Sequence, residues 1–311
     1  MKYPLTIGTM ALVLSSHGAG AVTLHFDYSY DGGFFSGANQ ARRSTLEAAG
    51  EYFSQRLTDS LNAIDSGGVN QLNASIKRPD TGADLTLGAD YRVAANTLTV
   101  YVGGRNLGGN SLGSGGPGGY DASGTQEFVD NVAGRGQPGA LTSPKTDFAP
   151  WGGAIAFDAD SSWYFDTDTA TRESFSGFDF YSVAIHELGH VLGIGSANSW
   201  SRWVAGGQFT GPESTSVNGG NILLSADGGH WHSGQTSTVG GQGSLETAMD
   251  PEVIAGVRKT FTDLDWAVLK DIGWDVAAVP PPTAVPVPGQ ALSFLAVIMA
   301  WVGRNLIRRR D

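Results

Sequence analysis

One sixteen-residue stretch carries the strongest chemical pattern in the chain: Tyr181-Ser-Val-Ala-Ile-His-Glu-Leu-Gly-His-Val-Leu-Gly-Ile-Gly-Ser196. On an α-helix, His186 and His190 are four residues apart, so both imidazoles leave the same face about one turn apart. Two imidazoles at this spacing can bind one ion, which we expect to be Zn²⁺. Glu187 projects beside the ion, where its carboxylate can take a proton from a zinc-bound water. The stretch therefore predicts a zinc site with Glu187 as general base.

The other flank of this predicted helix is apolar, which indicates that the helix is buried against a core. Its apolar residues are Val183, Ile185, Leu188, Val191 and Leu192. Gly193 follows them, and glycine most easily adopts the positive φ that is needed where a helix stops sharply. The chain can then turn away and bring a third ligand from elsewhere. A chance motif on a surface helix is the alternative, since short motifs recur by accident.

The composition limits the class of protein. The 311 residues are 41% hydrophobic, which is enough for the core of one large domain or two small ones. There is no cysteine, so disulfides and inhibition of a zinc site by a cysteine thiolate are both excluded. The formal net charge of −11 argues against nucleic-acid binding and favours solubility or cation binding.

The N-terminus has the features of a secretory signal peptide over residues 1–21. Lys2 supplies the charged end, residues 5–14 supply an apolar run, and small residues that end at Ala21 supply a cleavage site. The run is too short to cross a bilayer, which takes about 20 residues. An ordinary buried N-terminal strand is the alternative interpretation.

The C-terminus is expected to be a separate module. Residues 280–288 are rich in proline and predict a stiff, extended linker. Residues 289–311 contain an apolar run and then a cluster of arginines that includes Arg308, Arg309 and Arg310. Positive charge after an apolar run holds that end on the cytoplasmic side of a membrane.

This order of linker, apolar run and arginine cluster resembles the PEP-CTERM sorting tail of Gram-negative bacteria. The resemblance implies export to the cell surface or the medium, processing by an exosortase, transient anchoring in the inner membrane, and membrane contact through the tail alone. Pro286-Val287-Pro288 stands where the family has Pro-Glu-Pro. A plain membrane-anchoring tail is the alternative, since short apolar runs are ambiguous.

The region between these ends reads as a mixture of strands and helices. Apolar patterns predict strands at residues 22–29, 96–103 and 152–157 and helices at residues 44–57 and 262–271. Residues 103–119 are dominated by glycine and lack periodicity, so they are predicted to be a loop.

An acidic segment follows the third predicted strand. Asp158, Asp160, Asp166 and Asp168 could ligate Ca²⁺ through their carboxylate oxygens. Their spacing does not match a calcium-binding loop, so a solvated acidic loop is the alternative interpretation.

The histidine helix resembles the metzincin pattern H-E-x-x-H-x-x-G-x-x-H, except that Ser196 stands at the last position. Serine is a poor zinc ligand, and catalytic zinc usually has three protein ligands and one open position. Leishmanolysin-like metzincins are similar to this chain in a specific way, because their third histidine follows a long insertion. The resemblance implies that residues 196–227 are the insertion and that residues 228–232, Gly-Gly-His-Trp-His, bring the ligand.

Two histidines compete for the third position. We favour His230 over His232, because the glycines before His230 allow close backbone approach and alternate residues of an extended segment face opposite ways. The resemblance also implies that Met249, in a methionine turn, lies under the zinc as an apolar floor. Two further alternatives are His25 and Glu213, the latter as the ligand of a gluzincin, although Glu213 stands in a loop-like run.

The metzincin resemblance implies an α+β zincin-like fold over residues 22–279. It would have an N-terminal twisted sheet with two helices, the second of which carries the ligands, and an irregular C-terminal subdomain. The implied function is that of a secreted or surface-displayed zinc metalloendopeptidase that hydrolyses protein or peptide substrates. A non-catalytic, zinc-containing surface or biofilm-matrix protein is the alternative, against which the position of Glu187 argues.

Overall fold

A four-stranded sheet lies at the centre of an α+β fold. The computed structural model describes residues 22–37, 39–168 and 174–278. The strands are β1 Thr23–Asp27, β2 Gln71–Lys77, β3 Asp84–Thr86, β4 Thr97–Arg105, β5 Gly113–Pro117, β6 Gly119–Ser123, β7 Gly152–Asp158, β8 Trp163–Tyr164, β9 Phe178–Asp179, β10 Val204–Ala205, β11 Gln208–Phe209, β12 Ile222–Leu223, β13 Thr236–Val239 and β14 Gln242–Glu246. The helices are α1 Gln40–Ser54, α2 Gln126–Gly134, α3 Phe180–Val191, α4 Asn198–Ser201, α5 Pro212–Asn218 and α6 Asp263–Asp271, and a 3-10 helix covers Pro138–Leu141.

The two chain ends fall outside this description. The chain divides into two units after Ala277. The predicted signal peptide, proline-rich linker and sorting tail all lie outside the described residues. Within the described ranges, no helix has the length and apolar character that a membrane span requires.

The central sheet confirms the three strand predictions. Strands β1, β4 and β7 run parallel in that order, and β5 completes the sheet antiparallel to β7. The alternating Leu98, Val100 and Val102 of β4 are fully buried on one face, while Tyr101 is buried on the other. Strand β4 has a neighbouring strand on each side and is buried on both faces, as expected of an interior strand.

Each face of the sheet packs against its own layer. On one face, α1 and α3 pack together and contribute Leu46, Phe53 and Ile185 to the main core. On the other face, α2 and the small sheet β3-β2-β6 form a second core that contains Phe128 and Trp151. This arrangement sandwiches the central sheet and buries α3.

The prediction that residues 103–119 form a loop was wrong, because they contain β5 and the start of β6. Strand β5 pairs with β7 from Gly113 opposite Phe157 to Pro117 opposite Gly153. Strand pairing needs only backbone N–H and C=O groups, which glycine supplies without the side-chain alternation on which sequence interpretation depends. The glycine-rich segment is therefore the edge strand of the central sheet.

The helix predictions were partly correct. Helix α6 is confirmed, with a capping box between Thr262 and Asp265 and a positive φ of 105° at Gly273. Helix α2 was not predicted, since its buried apolar side chains are only Phe128 and Val132. The helix that carries the candidate ligands is consequently the third along the chain and not the second.

Candidate metal centre

Helix α3 carries His186, Glu187 and His190. It begins at Asp179, whose carboxylate accepts a hydrogen bond of 3.1 Å from the backbone N–H of Ser182. It ends before Gly193, which has φ +102°. A side chain at Gly193 would also press on the ring of Phe148, because a Cβ there would lie 2.5 Å from that ring. The helix therefore stops where the sequence predicted.

The structure brings three histidines together beside the C-terminal half of this helix. The Nε2 atom of His186 lies 3.2 Å from that of His230 and 3.1 Å from that of His190, and the Nε2 atoms of His190 and His230 lie 3.0 Å apart. Tetrahedral zinc with bonds of about 2.0–2.1 Å would hold such nitrogens roughly 3.3 Å apart. The three atoms thus form a triangle of the size that one zinc ion requires.

The second ring nitrogen of each histidine is hydrogen-bonded to an acceptor. Nδ1 of His186 donates to the carbonyl of Ala248 at 2.7 Å, and Nδ1 of His190 donates to the carbonyl of Ile194 at 2.9 Å. Nδ1 of His230 donates to the carboxylate of Asp227 at 2.7 Å. These bonds keep the proton on Nδ1 in the neutral ring and leave the Nε2 lone pairs directed at one another. Three lone pairs this close repel unless a cation lies among them, so the residues fit zinc.

Burial keeps two of these rings neutral. It lowers the pKa of His186 well below its ordinary value and lowers the pKa of His190 to about 4, and the neighbouring imidazoles act in the same direction. Neutral imidazole is the form that binds a metal, because the lone pair of Nε2 is then free. The site is therefore ready to bind a metal at neutral pH.

The predicted insertion is a folded unit with an aromatic core. Its helix α4 contributes Trp200 and its strand β11 contributes Phe209, and their ring centroids are 4.4 Å apart. Trp231 completes the cluster, with its centroid 5.7 Å from each of the other two. Because Trp231 follows His230 directly, this cluster holds the backbone of the third histidine.

Of the two candidate histidines, the structure places His230 in the group and His232 outside it. His232 is exposed, and its Nδ1 lies 3.0 Å from the carbonyl of Ser233. Close approach of the His230 segment depends on Gly195, where a Cβ would lie 2.5 Å from the carbonyl oxygen of Gly229. The two side chains diverge as the alternation of an extended segment requires.

Met249 lies directly behind the two helix histidines. It is fully buried, and a Cβ at Gly189 would lie 2.6 Å from its sulfur. Gly189 stands between the two histidines on α3, so the thioether packs against the helix backbone under the site. The role of an apolar floor under the zinc, which the resemblance implied for Met249, stays a prediction.

Asp265 connects the backbone of Met249 to Trp231, the residue after the third histidine, and sequence interpretation did not identify this role. Its buried carboxylate accepts hydrogen bonds from the backbone N–H groups of Ala248, Met249 and Thr262, from the Thr262 hydroxyl, and from the indole of Trp231. The signal in the sequence was the spacing of Thr262 and Asp265, which predicts a capping box but not the other contacts.

Glu187 is 5% exposed and lies beside the histidine triangle. Burial raises its pKa to about 8, and a hydrogen bond from the backbone N–H of Gly115 opposes the shift. A nearby divalent cation would favour the ionised carboxylate. Glu187 and the three histidines line a cleft of about 1070 Å³ between β5 and the segment Pro251–Ile254.

The other candidate ligands lie elsewhere. Glu213 is exposed in the first turn of α5, and its backbone N–H donates to Asp271 at 2.8 Å. The expectation that Glu213 lies in a loop was wrong, because Pro212 at the first position starts a short helix. His25 is exposed on β1. Neither residue belongs to the candidate metal group of the described chain.

The acidic segment is organised by hydrogen bonds and an arginine. Arg258 forms ion pairs with Asp166 at 3.2 Å and with Asp179 at 2.9 Å. Asp158 accepts hydrogen bonds from the backbone N–H of Leu107 and the hydroxyl of Ser161. Among the described residues, the acidic side chains are not part of a candidate metal group. Calcium binding therefore stays a prediction.

Two comparisons with known proteins bear on this site. Residues 125–202 match the model of the matrixin family, peptidase M10. A stretch of 51 residues is 45% identical to Metalloendoproteinase 1 of Glycine max, covering 16% of this chain and 17% of that protein. The chain thus matches about a sixth of the relative's length. Both matches are to metallopeptidases, and the α+β fold of the chain is compatible with a metzincin catalytic domain.

Proposed function

We propose that this chain is a zinc-dependent metalloendopeptidase in which His186, His190 and His230 hold the ion and Glu187 is the general base. The observation that carries the proposal is the triangle of Nε2 atoms, each on a ring whose Nδ1 is already hydrogen-bonded. When bound, zinc supplies a Lewis acid that polarises the scissile carbonyl and lowers the pKa of water.

Glu187 moves the proton in this mechanism. Its carboxylate takes a proton from the attacking water and later passes it to the leaving amine. Burial raises the pKa of Glu187 in the metal-free protein, and a divalent cation beside it would favour the ionised carboxylate, the form that accepts a proton. A general base is therefore present beside the candidate ligands, on the same helix.

The cleft is suited to an extended peptide. Strand β5 is an edge strand of the central sheet and lines the cleft, so a peptide can pair with it by backbone hydrogen bonds. On the opposite wall, Ile254 is 57% exposed and offers an apolar surface to a substrate side chain. These two walls support a protein or peptide substrate.

The rival function is a surface or biofilm-matrix protein that retains zinc without catalysis. Such a protein would gain nothing from Glu187, since a buried carboxylate costs stability unless it is paired or used. Glu187 lines the cleft together with glycines and histidines. No basic side chain contributes to the shift of its pKa. This arrangement favours the catalytic function.

Two finer assignments belong to the proposal. The folded insertion between α3 and His230 supports the leishmanolysin-like group, whose third histidine follows an insertion. The signal-like residues 1–21 and the tail 289–311 support export to the surface or medium of a Gram-negative bacterium, with exosortase-type processing. Deleting residues 289–311 should move the protein from the membrane fraction to the soluble or exported fraction with unchanged specific activity. Loss of activity on this deletion would contradict the assignment.

The decisive experiment uses purified residues 22–279. We expect about one zinc per chain by elemental analysis and digestion of casein that a chelator abolishes and zinc restores. Glu187→Ala should retain the zinc while hydrolysis drops by at least ~10², the usual contribution of a general base. A Glu187→Ala protein with wild-type turnover would eliminate the mechanism, and a zinc-loaded wild type without hydrolysis would favour the non-catalytic rival.

A further inference from the structure

Strand β5 crosses α3 at Glu187 without any side chain between them. Gly113 and Gly115 are on the same face of the strand, as alternate residues are. A Cβ at Gly113 would overlap the Glu187 carboxylate and lie 2.7 Å from its Cγ. A Cβ at Gly115 would lie 2.8 Å from the backbone oxygen of Glu187 and 3.0 Å from its Cβ and Oε2. At both positions, the three nearest atoms all belong to Glu187.

The backbone of the strand does not itself require glycine. Gly113, Gly115 and Gly116 are absent from the residues of positive φ, so their conformations are open to any L-amino acid. At Gly116, a Cβ would have no atom within 4 Å. The requirement for glycine is therefore local to the two positions that face Glu187, and it comes from contact and not from strain.

The same close approach gives the carboxylate its hydrogen bond. The backbone N–H of Gly115 donates to Glu187. Glu187 is almost fully buried, so the side chain has little room to adopt another rotamer. Strand β5 lies against it, and the three histidines line the same cleft.

We propose that Gly113 and Gly115 are positioning residues that form a recess without side chains, in which the Glu187 carboxylate is held for proton transfer. This inference rests on the proposed function, because it assigns the recess to the general base of that reaction. The Gly115 N–H fixes one carboxylate oxygen and leaves the other to exchange the proton. A methyl group at Gly113 would meet only side-chain atoms of Glu187, so it displaces the carboxylate and leaves the three histidines in place. A methyl group at Gly115 would also press on the backbone oxygen of Glu187.

The kinetic test compares Gly113→Ala and Gly115→Ala with Gly116→Ala as the matched control on the same strand. For Gly113→Ala, we expect zinc content to stay near one per chain and KM to change by less than about threefold. We expect kcat to fall by about 10²-fold, the size that a misplacement of about 1 Å can produce. Gly116→Ala should retain wild-type kcat. Wild-type kcat in Gly113→Ala would overturn the inference.

A second measurement tests the contact without any activity. Overpacking by Gly113→Ala should lower the Tm of the otherwise wild-type protein by about 3 °C or more. In a Glu187→Ala background, the same substitution should leave the Tm almost unchanged. The atoms that the new methyl group would meet are Cγ, Cδ and Oε1 of Glu187, and alanine lacks all of them. Gly115→Ala should keep part of its effect there, since the Glu187 backbone oxygen remains.

The two measurements separate failure of the inference from failure of the proposed function. An equal Tm loss in both backgrounds would show that the glycines pack against something other than Glu187 and would overturn the recess. An active wild type whose kcat is insensitive to Gly113→Ala would overturn the positioning role while the peptidase assignment stands. A zinc-loaded wild type that hydrolyses no peptide would overturn both the peptidase and the positioning of its base, and only the steric contact would survive in the Tm data.

Discussion

Helix α3 and the segment 225–232 hold the two sides of one candidate metal site by different means. Every residue of α3 except His190 is buried, so hydrophobic packing places its ligands. In the segment, the side chain of His230 is 21% exposed and that of Asp227 is 54% exposed. Polar contacts place this ligand, through Asp227 on its ring and Asp265 on the indole of the next residue.

This difference predicts which substitutions disturb the geometry of each side of the site. A hydrophobic helix loses its geometry only when the core is disrupted, which affects the whole domain. A segment held by hydrogen bonds can lose its geometry when one carboxylate is removed. We therefore expect substitutions on the two sides to separate metal binding from stability.

The largest effect is expected at His230, and its neighbour His232 serves as the control. His230→Ala should abolish tight zinc binding and activity together and should also lower stability, because metal affinity is partly folding free energy. His232→Ala should retain about one zinc per chain and most of the activity, since its side chain lies outside the group. Elemental analysis of both variants makes the comparison. Zinc loss in His232→Ala with retention in His230→Ala would show that the ligand is two residues away from its place in the structure.

Substitution of Asp265 should disturb both sides of the site, helix α3 and the segment 225–232. Asp265→Ala removes the acceptor of five hydrogen bonds, which include bonds from the segment of Met249 and from Trp231. We expect a loss of roughly 3 kcal/mol or more in the free energy of unfolding, measured by urea in the metal-free protein, and weaker zinc binding.

Asp263→Ala is the matched control, because Asp263 is in the same first turn of α6. Its carboxylate accepts hydrogen bonds from Thr238, Gly240 and Gly241, in and beside the β13–β14 hairpin. The control should destabilise the protein less and leave zinc affinity unchanged. Equal zinc affinities in the two variants would contradict the positioning role of Asp265.

The smallest effect is expected at Glu187, the buried carboxylate on helix α3. Burial raises the pKa of Glu187 to about 8 from 4.5, so the folded metal-free protein holds a proton that the unfolded chain has released between these values. Its contribution to stability is complete below about pH 4.5 and is lost as the pH rises through about 8, by at most about 1.4 kcal/mol per pH unit.

Glu187→Gln should remove this slope in the metal-free protein. The measurement is the difference in the free energy of unfolding between wild type and variant at pH 6.5 and pH 8. Below pH 6.5, His190, whose pKa is lowered to about 4, acts in the opposite direction in both proteins. Parallel stability curves for wild type and variant across pH 6.5–8 would show that Glu187 is not held in a buried site.

Local patterns in the sequence were sufficient for α3 and for much of the sheet. The spacing of His186 and His190, the apolar flank and the stop at Gly193 all act within a few residues, and the geometry of an α-helix converts such spacing into a shared face. The alternation in β4 is local in the same sense. The choice of His230 over His232 also came from a local rule, the opposite directions of alternate side chains in an extended segment.

The remaining features depend on residues that are far apart in the chain. Strand β5 was missed because glycine leaves no side-chain pattern, and its pairing with β7 is made of backbone groups about forty residues apart, a partnership that only folding selects. The contacts of Asp265 with Trp231 and Met249, and of Gly113 with Glu187, likewise join separate elements. The secondary-structure propensity of a short segment is encoded in neighbouring residues. The distance between two packed elements depends on the whole core, and the position of the general base depends on that distance.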